Sequence, residues 1–312
     1  MDDPQLSFET NLKNLDANNW IGAIDDVCDE LGFFEQLGRF HCAGFLEAGN
    51  KLLVTFENAE SVRAYNIDAE PRGFAYVRQD GWSHLALISF TESWFRDPAI
   101  YAFFDRMIDD GFFEDFEKVL FYGGDGGAAY AAAAYSVASP GASVIALRPQ
   151  ATLEARTTNW DRRYRFARKK NFANRYGYAP EMIEGAAEVF IAYDPYEHLD
   201  ACHAALFRKP HVTSLPCPLL GPQLDRAFDR MGIHDVMLKL AMDGDLDAKR
   251  FAQLLRARRY DQVYVRNLVK HLIAVNHDEF AQAICRYMLK RGSSSFFKKT
   301  LEELIEAEDD YK

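Results

Sequence analysis

Between Lys51 and Leu215 the chain alternates compact apolar runs with segments whose apolar residues recur at helical spacing. The runs Lys51–Phe56 (KLLVTF), Leu85–Phe90 (LALISF), Lys118–Tyr122, Ser143–Leu147, Ala187–Tyr193 (AEVFIAY) and His211–Leu215 are short and bounded by turn residues. That is the pattern of strands covered on both faces. Gly73–Val77 reads as a shorter edge strand. Trp20–Leu31, Pro98–Asp110, Gly126–Ala138 and Leu199–Phe207 read as helices; in the second, Ile100, Phe103, Phe104, Met107 and Ile108 share one face and Pro98 sits where a missing N–H costs little. Strands alternating with helices imply a mostly parallel sheet.

From Gln223 onward the pattern is helical only: Leu224–Met231, Val236–Met242, Ala248–Ala257, Val263–Val275, Glu279–Lys290 and Ser295–Glu308. The expectation is an α/β domain over residues 1–222, a three-layer sandwich, followed by an all-helical appendage over 223–312. Residues 151–180 have little apolar periodicity and many cations, and are expected to pass over the strand ends rather than join a core layer.

At 312 residues, 48% of them hydrophobic, the chain is long enough for a large core. Its formal charge of -11 argues against nucleic-acid and anionic-membrane partners, since both reward a cationic surface. The five cysteines, Cys28, Cys42, Cys202, Cys217 and Cys285, are scattered and form no CxxC pair, so they read as buried thiols rather than disulfides or a zinc ribbon. The leader MDDPQLSFETNLKNLD has no cationic or apolar targeting region, and no run reaches the ~18 apolar residues of a membrane span. These features point to the cytoplasm. Neither G-x-G-x-x-G nor G-x-x-x-x-G-K-[ST] occurs, and no cofactor or metal is expected.

The most informative stretch is Lys118–Gln150, KVLFYGGDGGAAYAAAAYSVASPGASVIALRPQ: strand, glycine turn, alanine-rich helix, turn, strand. In parallel sheets ligands sit beyond the carboxyl ends of the strands, which places Gly123, Gly124, Asp125, Gly126 and Gly127 where chemistry is expected. The order of elements and this turn resemble an α/β-hydrolase core over roughly residues 51–221. The resemblance implies G-x-nucleophile-x-G at the turn. Asp125 takes the nucleophile position if Gly123 and Gly127 are the flanking glycines; a register counted back from Tyr130 selects Gly126, which has nothing to attack with. An aspartate can act by attacking an alkyl carbon to give an ester that water hydrolyses; it is equally at home in a tight turn.

The same resemblance implies an acid after a later strand, matched by Asp194, and a histidine after the strand that follows. No histidine stands there, and His203 on the intervening helix is the remaining candidate. The cationic excursion holds Arg148, Arg162 and Arg163 with Trp160 nearby, a set suited to a small anionic or glycan-like ligand. The leading expectation is therefore a degenerate hydrolase-fold protein that binds such a ligand. The alternatives are an active hydrolase or acyl transferase using Asp125 or a displaced triad, and an interaction protein whose C-terminal helices meet a protein partner.

WSHLAL, YAAAAYS and RPQATL also resemble a group of bacterial proteins that often carry the label phosphoadenosine phosphosulfate reductase. Such a reductase pairs a SGGxDS-like phosphate loop with a reactive cysteine near the C-terminus. Here YGGDGG lacks the serines and Cys285 lies within the helical pattern QAICRYML, so the motifs do not support the label.

Overall fold

The computed structural model describes Phe8 and residues 10–310, with the side chains of 308–310 left aside; residues 1–7 and 9 of the polar leader lie outside the described residues. Helix α1 (Ala17–Leu31) leads into strands β1 (Gly32–Leu37), β2 (His41–Leu46) and β3 (Lys51–Asn58). Helices α2 (Ala59–Tyr65) and α3 (Phe74–Asp80) precede β4 (Ser83–Ser89), and α4 (Pro98–Asp109) precedes β5 (Lys118–Gly123). Then come α5 (Gly126–Tyr135), β6 (Ser143–Leu147), the short helices α6 (Ala155–Thr158) and α7 (Ala179–Met182), β7 (Glu188–Tyr193), α8 (His198–Ala205) and β8 (Val212–Pro216). The C-terminal helices are α9 (Leu224–Met231), α10 (His234–Met242), α11 (Ala248–Leu254), α12 (Gln262–Ala274), α13 (Asp278–Arg291) and α14 (Ser295–Asp310).

The eight strands form one sheet in the order β1-β2-β4-β3-β5-β6-β7-β8. β2 runs antiparallel to β1 and β4, and every pairing from β4 to β8 is parallel. Side chains alternate between faces along each central strand, as the period of two requires. Val54 and Phe56, Phe121, Val144 and Ala146, Val189 and Ile191 enter one core with α4 and α5. Leu53, Leu120 and Tyr122, Ile145 and Leu147, Phe190 and Ala192 enter the other, which is closed by Phe228, Met237, Leu238 and Phe251 of the C-terminal helices and continues outward to Val269, Cys285 and Phe297. This is the three-layer α/β-hydrolase-type sandwich expected from the sequence, with a C-terminal helical region.

Three readings are corrected. Gly73–Val77 is not an edge strand: Phe74–Asp80 is α3, closed by Gly81 in the left-handed conformation at φ 64°, a glycine end-signal for a helix. The edge of the sheet is instead the β1-β2 hairpin, which the sequence reading missed. The excursion at 151–180 also differs from expectation: Ala151, Leu153, Ala167, Phe172, Tyr176 and Ala179 are buried in the same core as α5. It is anchored by Tyr130, whose hydroxyl donates to the Tyr176 carbonyl, and by the Arg96 guanidinium, which donates to the carbonyls of Asn171 and Arg175. Four cysteines are buried and Cys202 is exposed, a correction for that one thiol. Among the described residues no helix is long and apolar enough to cross a membrane.

Candidate functional site

The turn between β5 and α5 lies at the carboxyl edge of the sheet, and its geometry is that of a helix cap. Asp125 is the N-cap residue, with φ -143° and ψ 177°, and its Oδ1 accepts from the Ala128 amide at 3.1 Å. None of the five residues 123–127 has a left-handed φ, so the strain that thrusts out a nucleophile at a hydrolase elbow is absent. The Asp125 carboxyl is open to solvent at the cleft yet crowded by protein. Loss of water pushes its pKa up; the Ala128 amide and Arg148 pull the other way and the Asp225 carboxylate adds to the rise.

The glycines of the turn make room for protein rather than for phosphate. A Cβ on Gly123 would stand 2.3 Å from the Ala128 carbonyl oxygen, one on Gly124 2.7 Å from Asp225 Oδ1, and one on Gly126 2.2 Å from Gln150 Oε1. Gly127 has ordinary clearance, 3.6 Å from the Trp94 ring. The alanines that follow are buried from Ala128 to Ala134, letting α5 lie close on the sheet.

Asp194 stands where the resemblance would put a triad's acid, and His203 lies on α8, one strand too early for a triad histidine; each is bonded elsewhere. Asp194, at the end of β7, accepts from the amides of Tyr196 (2.9 Å), Leu219 (3.1 Å) and Gly221 (2.7 Å). It therefore holds the loop after β8, the segment that would have carried the histidine. His203 is fully buried; its Nδ1 accepts from the Ala151 amide at 3.1 Å, so the proton is on Nε2, 3.1 Å from Asp161 Oδ2. Burial alone would raise the Asp161 pKa, but the bonds from His203 and Arg163 outweigh it and hold the carboxyl well below its usual range. Asp125, Asp194 and His203 form no hydrogen bond with one another.

Arg148 and Arg163 are likewise engaged. Arg148, left-handed at φ 48°, donates from Nε to Asp200 (2.8 Å), from Nη1 to the Pro222 carbonyl (2.8 Å) and from Nη2 to the Tyr164 hydroxyl (3.2 Å). Arg163 bridges Asp161 and Asp200, both at 2.7 Å. Arg162 is exposed, and Trp160 packs its ring on His203 at 4.6 Å between centroids. Of the four cationic and aromatic candidates, only Arg148 borders the cleft.

That cleft, of about 340 Å³, lies over the carboxyl ends of β3, β4 and β5. Its walls include Asn58, Ser61, Ser89, Thr91 and Ser93, the ring of Trp94, Asp125 to Ala128, Arg148 and Tyr164, with Glu57 and Glu92. Glu57 is held by the Thr55 hydroxyl at 2.7 Å and the Arg72 amide at 3.1 Å. Burial, only partly offset by those bonds and by the Arg72 charge, raises its pKa. Trp94 and Phe95 are consecutive left-handed residues at φ 57° and 53°, a conformation that costs energy in non-glycine residues. The loop is braced by Ser93 Oγ, which accepts from the Phe95 amide at 3.1 Å and from Ser89 Oγ at 2.7 Å.

Behind the turn lies a second polar network that sequence reasoning missed. The Tyr122 hydroxyl donates to Asp225 at 2.6 Å, Arg72 reaches Asp225 at 3.3 Å and Asp229 at 3.1 Å, and His234 Nδ1 is 2.7 Å from Asp229. Asp225, Asp229 and His234 approach closely enough to hold a cation, and the Arg72 guanidinium already supplies the positive charge between the two carboxylates. The network joins α9 and α10 to the ends of β5 and the loop after α2. No spacing in the sequence marks it, because its members stand up to 162 positions apart (72 to 234).

No family model and no curated protein sequence matches the chain. Solved structures similar in backbone course include a Staphylococcus aureus protein assigned as an esterase, at 10% identity, covering 76% of this chain and 96% of that one, TM-score 0.43. Carboxyl esterase 2 from Tuber melanosporum is similar at 14% identity over 66% of this chain and 81% of its own, TM-score 0.42. The Pyrococcus horikoshii acylaminoacyl peptidase is similar at 9% identity, over 76% of this chain and 46% of its own, TM-score 0.43. On its own strand order and its strand-turn-helix at β5 and α5, the chain has the α/β-hydrolase fold.

Proposed function

We propose that this protein is a ligand-binding member of the hydrolase-fold class that lacks the hydrolytic triad, and that its ligand is small, hydroxyl-rich and glycan-like. The observation that carries the reading is the cleft itself, whose lining at the carboxyl ends of the central strands includes Ser61, Thr91, Asn58 and the half-buried Tyr164. Such a lining matches sugar chemistry: hydroxyl and amide groups for directional hydrogen bonds and the Tyr164 ring as aromatic surface for the sugar's C–H groups. Of the two ligand classes expected from the sequence, the glycan-like one is favoured over the anionic one. Arg148 is already paired with Asp200, whereas Glu57, Glu92 and Asp125 border the same space, so an anion would meet carboxylates with no uncommitted cation.

Calorimetric titration with neutral mono- and disaccharides and with inorganic phosphate tests this reading. Saturable heat with a saccharide, weakened in Tyr164→Ala, is expected. Binding of phosphate alone would restore the anionic ligand, and turnover of a p-nitrophenyl ester that disappears in Asp125→Asn would establish an active hydrolase.

A further inference from the structure

A depression of about 200 Å³ lies among the C-terminal helices and shares no lining residue with the cleft. It is bordered by Arg259, Tyr260 and Gln262 between α11 and α12, and by Arg291, Ser293 and Ser294 where α13 gives way to α14. No carboxylate stands in its wall, although the chain carries 47 acidic residues against 36 basic ones. Among the described residues the exposed Arg259 makes no hydrogen bond or ion pair. Arg291 donates from Nη1 to the Tyr287 hydroxyl at 2.8 Å and lies over the rings of Tyr260 and Tyr287, 5.4 and 5.6 Å from their centroids. Two guanidiniums at one depression with no carboxylate repel each other, and a bound anion relieves that repulsion.

The start of α14 adds to the same field. The Ser294 carbonyl accepts from the Lys298 amide at 3.1 Å, which makes Ser294 the N-cap residue of this 16-residue helix. Its hydroxyl has no hydrogen-bond partner and so caps nothing, and the first turn holds no acidic residue. The positive end of the helix is thus left without the side-chain oxygen or carboxylate that ordinarily offsets it.

We infer that this depression binds a phosphate group, free or as the monoester of a small molecule. A phosphate monoester carries about -1.5 to -2 charges at neutral pH and three acceptor oxygens, enough to take both guanidinium forks while facing the start of α14. Gln262 and Ser293 offer further donors at the rim. A carboxylate has two oxygens and half the charge, so it satisfies the two arginines less well. The space is below the usual size of a drug-sized ligand's pocket and suits a phosphate with a few atoms attached. The inference is independent of the sugar reading of the cleft.

The test is calorimetric titration of the full chain at low ionic strength with inorganic phosphate, ethyl phosphate and acetate, on the wild type, Arg259→Ala and the Arg259→Ala, Arg291→Ala double variant. Phosphate should bind the wild type about tenfold or more tighter than acetate, lose about tenfold in Arg259→Ala, the worth of one charge-assisted hydrogen bond, and show no heat with the double variant. Arg259 is exposed and unpaired, so its removal leaves the fold intact. Tighter binding of ethyl phosphate assigns the site to monoesters; equal or weaker binding assigns it to free phosphate. Failure of both phosphates to bind the wild type, acetate binding as tightly as phosphate, or an affinity unchanged in Arg259→Ala overturns the site. Phosphate heat that persists undiminished in the double variant would belong to the cleft, so the phosphate titration of the cleft is read on that variant.

Discussion

Asp194 Oδ2 accepts from the Gly221 amide at 2.7 Å, so a carboxylate placed where a hydrolase would orient its histidine is engaged in shaping the loop instead. Gly221 and Leu219 are both left-handed, at φ 76° and 66°, and Asp194 fixes that tight course by accepting both amides. Asp194→Ala leaves those amides unpaired and should destabilise the protein by about 2–5 kcal/mol in urea titrations, with Asp194→Asn in between. A stable Asp194→Ala protein that has lost an enzymatic turnover would show a triad acid instead.

Asp125 supplies a second test. As a helix cap its value lies in one accepted hydrogen bond, so Asp125→Ala should cost about 1 kcal/mol and Asp125→Asn a few tenths, asparagine being as good a cap. Thermal unfolding of the two variants distinguishes them. Equal losses in both would mean that the charge, rather than the cap, is what the fold uses.

Gly124 is required by its neighbours. An added methyl would press on Asp225 and the Tyr122 hydroxyl at 2.7 and 2.8 Å, and would loosen the bond between them. Gly124→Ala should lose about 1–3 kcal/mol. Combined with Tyr122→Phe the loss should fall below the sum of the two singles, since both act on one network. Strict additivity in that double-mutant cycle would contradict the assignment.

Two buried histidines make the fold acid-sensitive. Desolvation lowers the pKa of His41 from 6.5 to about 4, the nearby Asp97 offsetting it only in part, and that of His84 to about 3. A histidine depressed in the folded state binds its proton more readily when unfolded. Its contribution is therefore complete above pH 6.5 and is lost as pH falls through the window to about 4, by about 3 kcal/mol for His41 over those 2.5 units. Neither ring nitrogen of His41 has a hydrogen-bond partner, so His41→Phe should fold and should flatten this part of the stability profile. An unchanged slope between pH 6.5 and 4 in the variant would exclude His41 as its source.

The parallel core was legible because its strands are buried on both faces and read as continuous apolar runs: Ser143–Leu147 is β6 to the residue. The β1-β2 hairpin escaped because Gly32 both ends α1 and opens β1, leaving no turn segment to mark the change. β2 moreover carries Gly44, packed against Cys28, where a strand former would be looked for. Asp125 and Asp194 were found by position, and the turn reading of Asp125 agrees with its cap bond; the amides that Asp194 accepts were not legible, since only the folded loops define their direction. His203 was visible as a helix residue; its bond to Asp161 spans 42 positions, across α7 and β7. The buried Trp94 indole N–H and Gln150 side-chain oxygen, which have no hydrogen-bond partner, have no sequence signature at all, because being unpartnered is a property of everything around them.

The central claim is that the cleft at β3 to β5 binds a sugar without hydrolysing it. Its most direct test is p-nitrophenyl β-glucoside, followed at once by calorimetry and by release of p-nitrophenolate. Saturable heat with release no faster than in buffer is the predicted result. Release that depends on the protein and vanishes in Asp125→Asn, or the absence of any binding, would contradict the account.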